Sequence, residues 1–166
     1  FGKIREQSSF KLLFDAVELI PENQRPRIII AGDGTKVESV EHLAQKYPSN
    51  RIEFTGRFNH AELPSLMSKI NLMFAMYSPK RGNIGDGALP SKMFEAAAYG
   101  RPSIVNANTP MGILCEAENL GISVQWNDVQ GLADAIIKSE GTMVNLQTDE
   151  KREKTRFFEV IEKLRI

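Results

Sequence analysis

A single cysteine, Cys115, stands in a chain of 166 residues, so neither an internal disulfide nor a cysteine metal cage can form within it. Such economy predicts a protein of a reducing, intracellular compartment, with the cytoplasm as its expected location. Histidine is nearly as scarce. His42 and His60 lie far from any ligand-spaced cluster and the acidic residues are scattered, so no metal is expected. An excess of either charge is also missing: 21 Lys+Arg balance 21 Asp+Glu, which argues against a nucleic-acid partner bound through bulk charge and leaves room for a local basic patch. No run of about 18 apolar residues is present, so no membrane span is predicted, and no charged-then-apolar leader marks secretion. Peripheral membrane association of a longer protein stays open. The opening Phe1-Gly2-Lys3-Ile4 reads as a strand without an initiator methionine, which predicts a fragment of a longer polypeptide.

With 42% hydrophobic and 25% charged residues, the composition is that of one well-cored globular domain. Short β-branched or aromatic runs alternate with segments of helical periodicity. Phe1–Ile4 is a predicted strand, followed by a Ser8-Ser9 cap and a helix with Phe10, Leu13, Phe14, Val17 and Ile20 on one face, stopped by Pro21. Further strands are predicted at Arg27–Ala31, Arg51–Thr55, Leu72–Met76, Pro102–Val105 and Ile122–Gln125. The helices between them carry Val37, Val40, Ala44 and Tyr47 on one apolar face, then an Asn59/Glu62 capping box leading to Ile70, then Pro90–Tyr99, Met111–Asn119 and Asp128–Ser139. A charged amphipathic helix, Thr148–Leu164, closes the chain. Strand-helix repeats with near-continuous apolar strands predict a doubly wound, Rossmann-like α/β domain, its parallel sheet covered by helices on both faces. Residues 1–140 are expected to form that domain and 141–166 a linker with its helix.

In open α/β sheets ligands bind beyond the carboxyl ends of the strands, so the loops there are the places to search. Gly32-Asp33-Gly34 invites a dinucleotide reading, but the third glycine position holds Val37, and a P-loop lysine and hydroxyl are missing. A plain tight strand-to-helix turn is the competing reading. The loop Tyr77–Leu89 is long for a compact α/β unit and carries three glycines with Lys80 and Arg81. It enters a helix N-terminus, where unpaired amides and the dipole favour phosphate, against the alternative of a solvated surface loop. Glu95 sits among Met93, Phe94, Ala96, Ala97 and Ala98. A half-buried carboxylate there would be satisfied by ribose hydroxyls, by Lys92 or Tyr99, or by water.

The segment from Leu89-Pro90-Ser91-Lys92-Met93-Phe94-Glu95 through Gly100-Arg101-Pro102-Ser103-Ile104-Val105 resembles the Pro-x-Lys-x-x-Glu-x-x-Ala-x-Gly-x-Pro-Val segment of GT-B glycosyltransferases of family 4 and group 1. Phe1-Gly2-Lys3-Ile4, Ile29-Ile30-Ala31-Gly32-Asp33-Gly34, Ile52-Glu53-Phe54-Thr55-Gly56 and Gly121–Ile137 resemble further motifs of that family in the expected order. The resemblance implies a C-terminal donor domain, one half of a retaining glycosyltransferase. Its implied partners are a nucleotide-sugar donor with UDP, GDP or ADP and an N-terminal acceptor domain of the same polypeptide, with no further cofactor. It also implies that Glu95 binds ribose hydroxyls and that amides at Ala88, Leu89, Pro90 and Ser91 meet the diphosphate, proline contributing no N–H. Lys3 and Arg5 then neutralise phosphate, and Arg57 and Phe58 flank the base. Many members carry a second glutamate, eight positions earlier with seven residues between the two, that contacts the sugar. Gly87 stands at that position here, so either the neighbouring Asp86 substitutes or the sugar is held differently. A nucleotide-sugar epimerase on the same plan and a non-catalytic α/β binding domain are the alternative functions.

Overall fold

The computed structural model describes residues 1–82, 91–146 and Thr155. Within them, six short strands alternate with helices: β1 Gly2–Lys3, α1 Ser8–Leu19, β2 Arg27–Asp33, α2 Val37–Ala44, β3 Arg51–Gly56, α3 Leu63–Ser68, β4 Met73–Ala75, α4 Ser91–Ala98, β5 Ser103–Asn106, α5 Pro110–Ala117, β6 Gly121–Val124 and α6 Val129–Lys138. All ladders are parallel, in two three-stranded sheets ordered β1-β2-β3 and β4-β5-β6. Among the described residues the expected sheet is therefore divided between β1 and β4, each of which has its ladder partner on one side only. The closing helix predicted at Thr148–Leu164 lies outside the described residues, Thr155 excepted.

Strand alternation sends successive residues to opposite faces, and both faces are buried. Ile104 and Val124 pack with α1, α2 and α6, in a core that holds Leu12, Phe14, Val17, Val40 and Leu132. Met73, Ala75 and Val105 face the other way, against Leu63, Met67, Met93, Met111 and Cys115 from α3, α4 and α5. Each such fully buried large side chain contributes about 1.5–3 kcal/mol, which is why short ladders suffice here. Burial also pushes the Cys115 thiol up to about 11, leaving a core residue without thiolate chemistry at neutral pH.

One local expectation changes and another gains a second cause. Ser8 does not cap α1: Gln7 stands at the N-cap without a side-chain bond, and the Ser8 hydroxyl donates to Glu6 Oε2 at 3.1 Å. Ser8 is the first residue inside the helix, one position past the cap, and its hydroxyl proton goes to the neighbouring carboxylate. Asp33 ends β2 and the expected tight turn into α2 forms, the Gly34 carbonyl accepting the Val37 amide at 3.4 Å, but the flanking glycines also make room for β1 beside β2. A Cβ on Gly32 would stand 1.8 Å from the Gly2 carbonyl oxygen, and one on Gly34 2.2 Å from that of Ile4. Both glycines also hold positive φ, at 147° and 150°. At the other end of the half-sheet, a register shift opposes Ile30 and Ala31 to Phe54 and Gly56, so Thr55 is bulged and the chain is re-aimed at Arg57.

Gly32→Ala is expected to cost more than about 2 kcal/mol in denaturant unfolding, because backbone and not a flexible side chain must move. Gly56→Ala, with φ at 72° and nothing within 4 Å, is expected to cost about 1–2 kcal/mol. Equal costs at the two sites would remove the close approach as the reason for Gly32.

Candidate functional site

The carboxyl ends of β1 and β4 are the point at which the two half-sheets diverge, and polar side chains collect there. Asn106, at the end of β5, is only 3% exposed. Its Oδ1 accepts the Tyr77 amide at 2.8 Å and its Nδ2 donates to the Tyr77 carbonyl at 2.9 Å, so one side chain continues the ladder past the last backbone pair of β4 and β5. Ser78, next along the chain, donates its amide to Glu6 Oε1 at 3.1 Å, which ties this exit to the loop after β1. Glu6 thus accepts from both Ser78 and Ser8.

The ring of Tyr77, fixed in this way, carries two cations. Arg81 Cζ lies 5.0 Å from its centroid and Lys92 Nζ 5.5 Å, the latter reaching back from α4 past Gly2. Neither has an ion-pair partner among the described residues. Burial holds the Lys92 ammonium below the ordinary lysine range, the Arg81 charge adds to this, and Glu95 opposes it. Burial likewise pushes the Tyr77 phenol up to about 12; Arg81 opposes the shift, while Glu6 and Glu95 reinforce it. Tyr77 therefore stays neutral at any physiological pH, an aromatic face under two positive charges. These groups line a cavity of about 740 Å³ to which β1, β2 and β4 all contribute, together with Ile30, Phe74 and Ile104.

The residues expected from sequence fall into three groups. Glu95 is half-buried on α4 with no hydrogen bond or ion pair among the described residues, so neither Lys92 nor Tyr99 satisfies it. Ser91 opens α4 and is exposed. Asp86, Gly87, Ala88, Leu89 and Pro90 lie outside the described residues. Around the other half-sheet, Lys3 Nζ meets Asp33 Oδ1 at 2.7 Å, and Arg57 Nε stands 3.9 Å from Asp33 Oδ2. Arg5 is exposed and has no ion pair among the described residues. Phe58 turns its ring edge-on to Phe1, with centroids 5.6 Å apart. Lys3 and Arg57 thus converge on one carboxylate, while Arg81 and Lys92 converge on one ring.

Sequence reasoning offered Lys92 only as a partner for Glu95 and assigned no role to Tyr77, Asn106 or Glu6. The lysine stands inside the Pro-x-Lys-x-x-Glu segment and was available from it; the other three act through backbone contacts between loops distant in sequence, for which no spacing rule exists. No three His, Cys, Asp or Glu side chains converge among the described residues, and none of the described helices is long and apolar enough to cross a membrane.

A family profile described as "Glycosyl transferases group 1" matches residues 1–139. No curated protein sequence matches the chain. Among solved structures, TarM of S. aureus, in complex with UDP among other molecules, aligns with a TM-score of 0.62 at 14% identity over 82% of this chain and 27% of its own. HepE of Anabaena, in complex with UDP and glucose, aligns at 0.62 and 22% identity over 84% of this chain and 38% of its own. The catalytic domain of cholesterol-alpha-glucosyltransferase from Helicobacter pylori aligns at 0.59 and 19% identity, covering 84% and 86%. At these identities the likeness is one of fold. The chain spans well under half the length of the TarM and HepE chains.

The Lys3 bond to Asp33, aided by the Lys3 charge and by Arg57, holds the Asp33 carboxyl below the usual carboxylate range. A depressed folded value means that its contribution to stability is present above the unfolded value of about 3.9 and is lost as pH falls through the folded one. Lys3→Gln is expected to raise the Asp33 carboxyl toward 3.8 in an NMR titration. An unmoved carboxyl would mean that the pair does not form in solution.

Proposed function

The chain belongs to the group 1 glycosyl transferases and carries the Rossmann-like half of the GT-B fold, and on that premise we propose that it is the donor-binding half of a retaining glycosyltransferase. Its substrate on this reading is a sugar linked to a nucleoside diphosphate, and the acceptor is held by another domain of the same polypeptide. The observation that carries the proposal is the grouping of Arg81, Lys92 and Glu95, none of them ion-paired among the described residues, at the divergence of the two half-sheets. Two cations over an aromatic face favour a polyanion, and a half-buried carboxylate one helical turn away suits the two hydroxyls of a ribose.

In the transfer, the bond between the sugar's anomeric carbon and the diphosphate oxygen breaks, and an acceptor hydroxyl oxygen forms the new bond as it gives up its proton. Charge then grows on the departing diphosphate. Arg81, Lys92 and the amides that open α4 are preorganised to stabilise it, in a site whose aromatic and apolar walls strengthen each interaction. Arg5 adds an exposed charge from the loop after β1. Lys3 and Arg57, already shared by Asp33, serve the edge of the site nearer the base. The presence of UDP with TarM and HepE supports this choice of ligand class. Asp86 and Gly87 remain the positions for the sugar contact on this reading.

Glu95→Ala is expected to weaken UDP or GDP binding by about 10- to 100-fold in calorimetric titration, the range for losing hydrogen bonds to a charged acceptor. Saturable binding of unchanged affinity would remove the ribose role. On the reading that another domain holds the acceptor, these 166 residues alone are expected to bind nucleotide without releasing or transferring sugar in a labelled-donor assay.

A further inference from the structure

Asn106 has no surface to offer a ligand, yet it uses both ends of its amide on a single residue of the site. Its own carbonyl accepts the Thr109 hydroxyl at 2.8 Å, and that hydroxyl oxygen in turn accepts the Gly112 amide at 3.1 Å, so its backbone is fixed by the start of α5. Tyr77 is thereby coupled to a rigid element. The β4 ladder ends at Ala75, and without this side chain the Tyr77 amide and carbonyl would be two buried, unpaired groups free to turn together with the ring.

We propose that Asn106 is a positioning residue for diphosphate recognition, fixing the Tyr77 ring under Arg81 and Lys92 without touching the nucleotide. This role rests on the donor-site reading and assigns the platform within that site. Its chemistry is specific to a primary amide. One side chain must both accept from an N–H and donate to a C=O at the same residue, which leucine or alanine cannot do and which aspartate does only in part. Glu6 holds the following residue, Ser78, from the opposite half-sheet, so Asn106 and Glu6 hold the C=O and the N–H of the one Tyr77–Ser78 peptide group from two sides.

The test titrates the native chain, Asn106→Ala and Asn106→Asp with UDP, GDP and ADP, and with the matching nucleoside for whichever diphosphate binds. Circular dichroism follows folding of each variant. The expected result is a loss of at least about tenfold for the nucleoside diphosphate, with the nucleoside unchanged within about twofold. Tyr77→Leu, which leaves Asn106 in place, is expected to show the same split, and adding Asn106→Ala to it is expected to cost little more. Undiminished diphosphate binding in both Asn106 variants overturns the positioning role, as does a proportional loss of nucleoside. If neither variant folds, Asn106 is a stability residue and the role is equally overturned. Failure of the native chain to bind UDP, GDP or ADP overturns the donor-site reading itself, and the proposal with it.

Discussion

The carbonyl oxygens of Gly2 and Ile4 lie where side chains at positions 32 and 34 would have to stand, so strand β1 can exist beside β2 only because both positions are glycine. A two-residue strand has too few ladder bonds to hold itself in place. Contact between backbones supplies the fit, and the Ile4 amide bonding the Asp33 carbonyl and the Lys36 amide bonding the Ile4 carbonyl extend it. Much of the candidate site follows from that placement. It sets Lys3 opposite Asp33, buries Ile4 in the core under α1, and brings Glu6 to the point where it can accept from Ser78.

The second consequence is a division of labour among charges. Around β1, β2 and β3, the cations Lys3 and Arg57 are engaged by Asp33, which lowers the local field. Around β4 and α4, the cations Arg81 and Lys92 face a neutral ring and have no ion pair among the described residues, and Glu6 spends its oxygens on a hydroxyl and an amide. Polar groups that determine loop shape are thus satisfied internally, while positive charge is kept for something else. A neutral chain can in this way hold a positive site, since the balance of 21 cations and 21 anions says nothing about which of them are paired.

The fold was legible because its signals are periodic. Continuous apolar strands such as Ile28-Ile29-Ile30 and amphipathic helices such as α1 are written locally, and the Glu62 half of the predicted capping box forms as expected, accepting the Asn59 amide at 2.7 Å. The misread features depend on what packs nearby. Nothing in Gly32-Asp33-Gly34 reveals that two other carbonyl oxygens press on it, nor does Ser8 reveal that the helix starts on it and that its hydroxyl donates to Glu6. The division of the sheet between β1 and β4 was equally beyond a local pattern. In the site, Glu95 and Arg81 were visible as an acid among apolar neighbours and a cation in a long loop. Asn106 was not, because an asparagine at a strand end looks like a turn residue until its partner, distant in sequence, is known.

Binding of a nucleoside diphosphate where β1 and β4 diverge is the central claim, and backbone amide NMR of the chain titrated with UDP or GDP tests it most directly. The predicted result is a saturating set of shifts centred on Glu6, Ser78, Arg81, Lys92 and Glu95, all fitting one dissociation constant. Shifts centred instead on α2 or on the α5–β6 face, or no saturable shifts with either nucleotide, would contradict it.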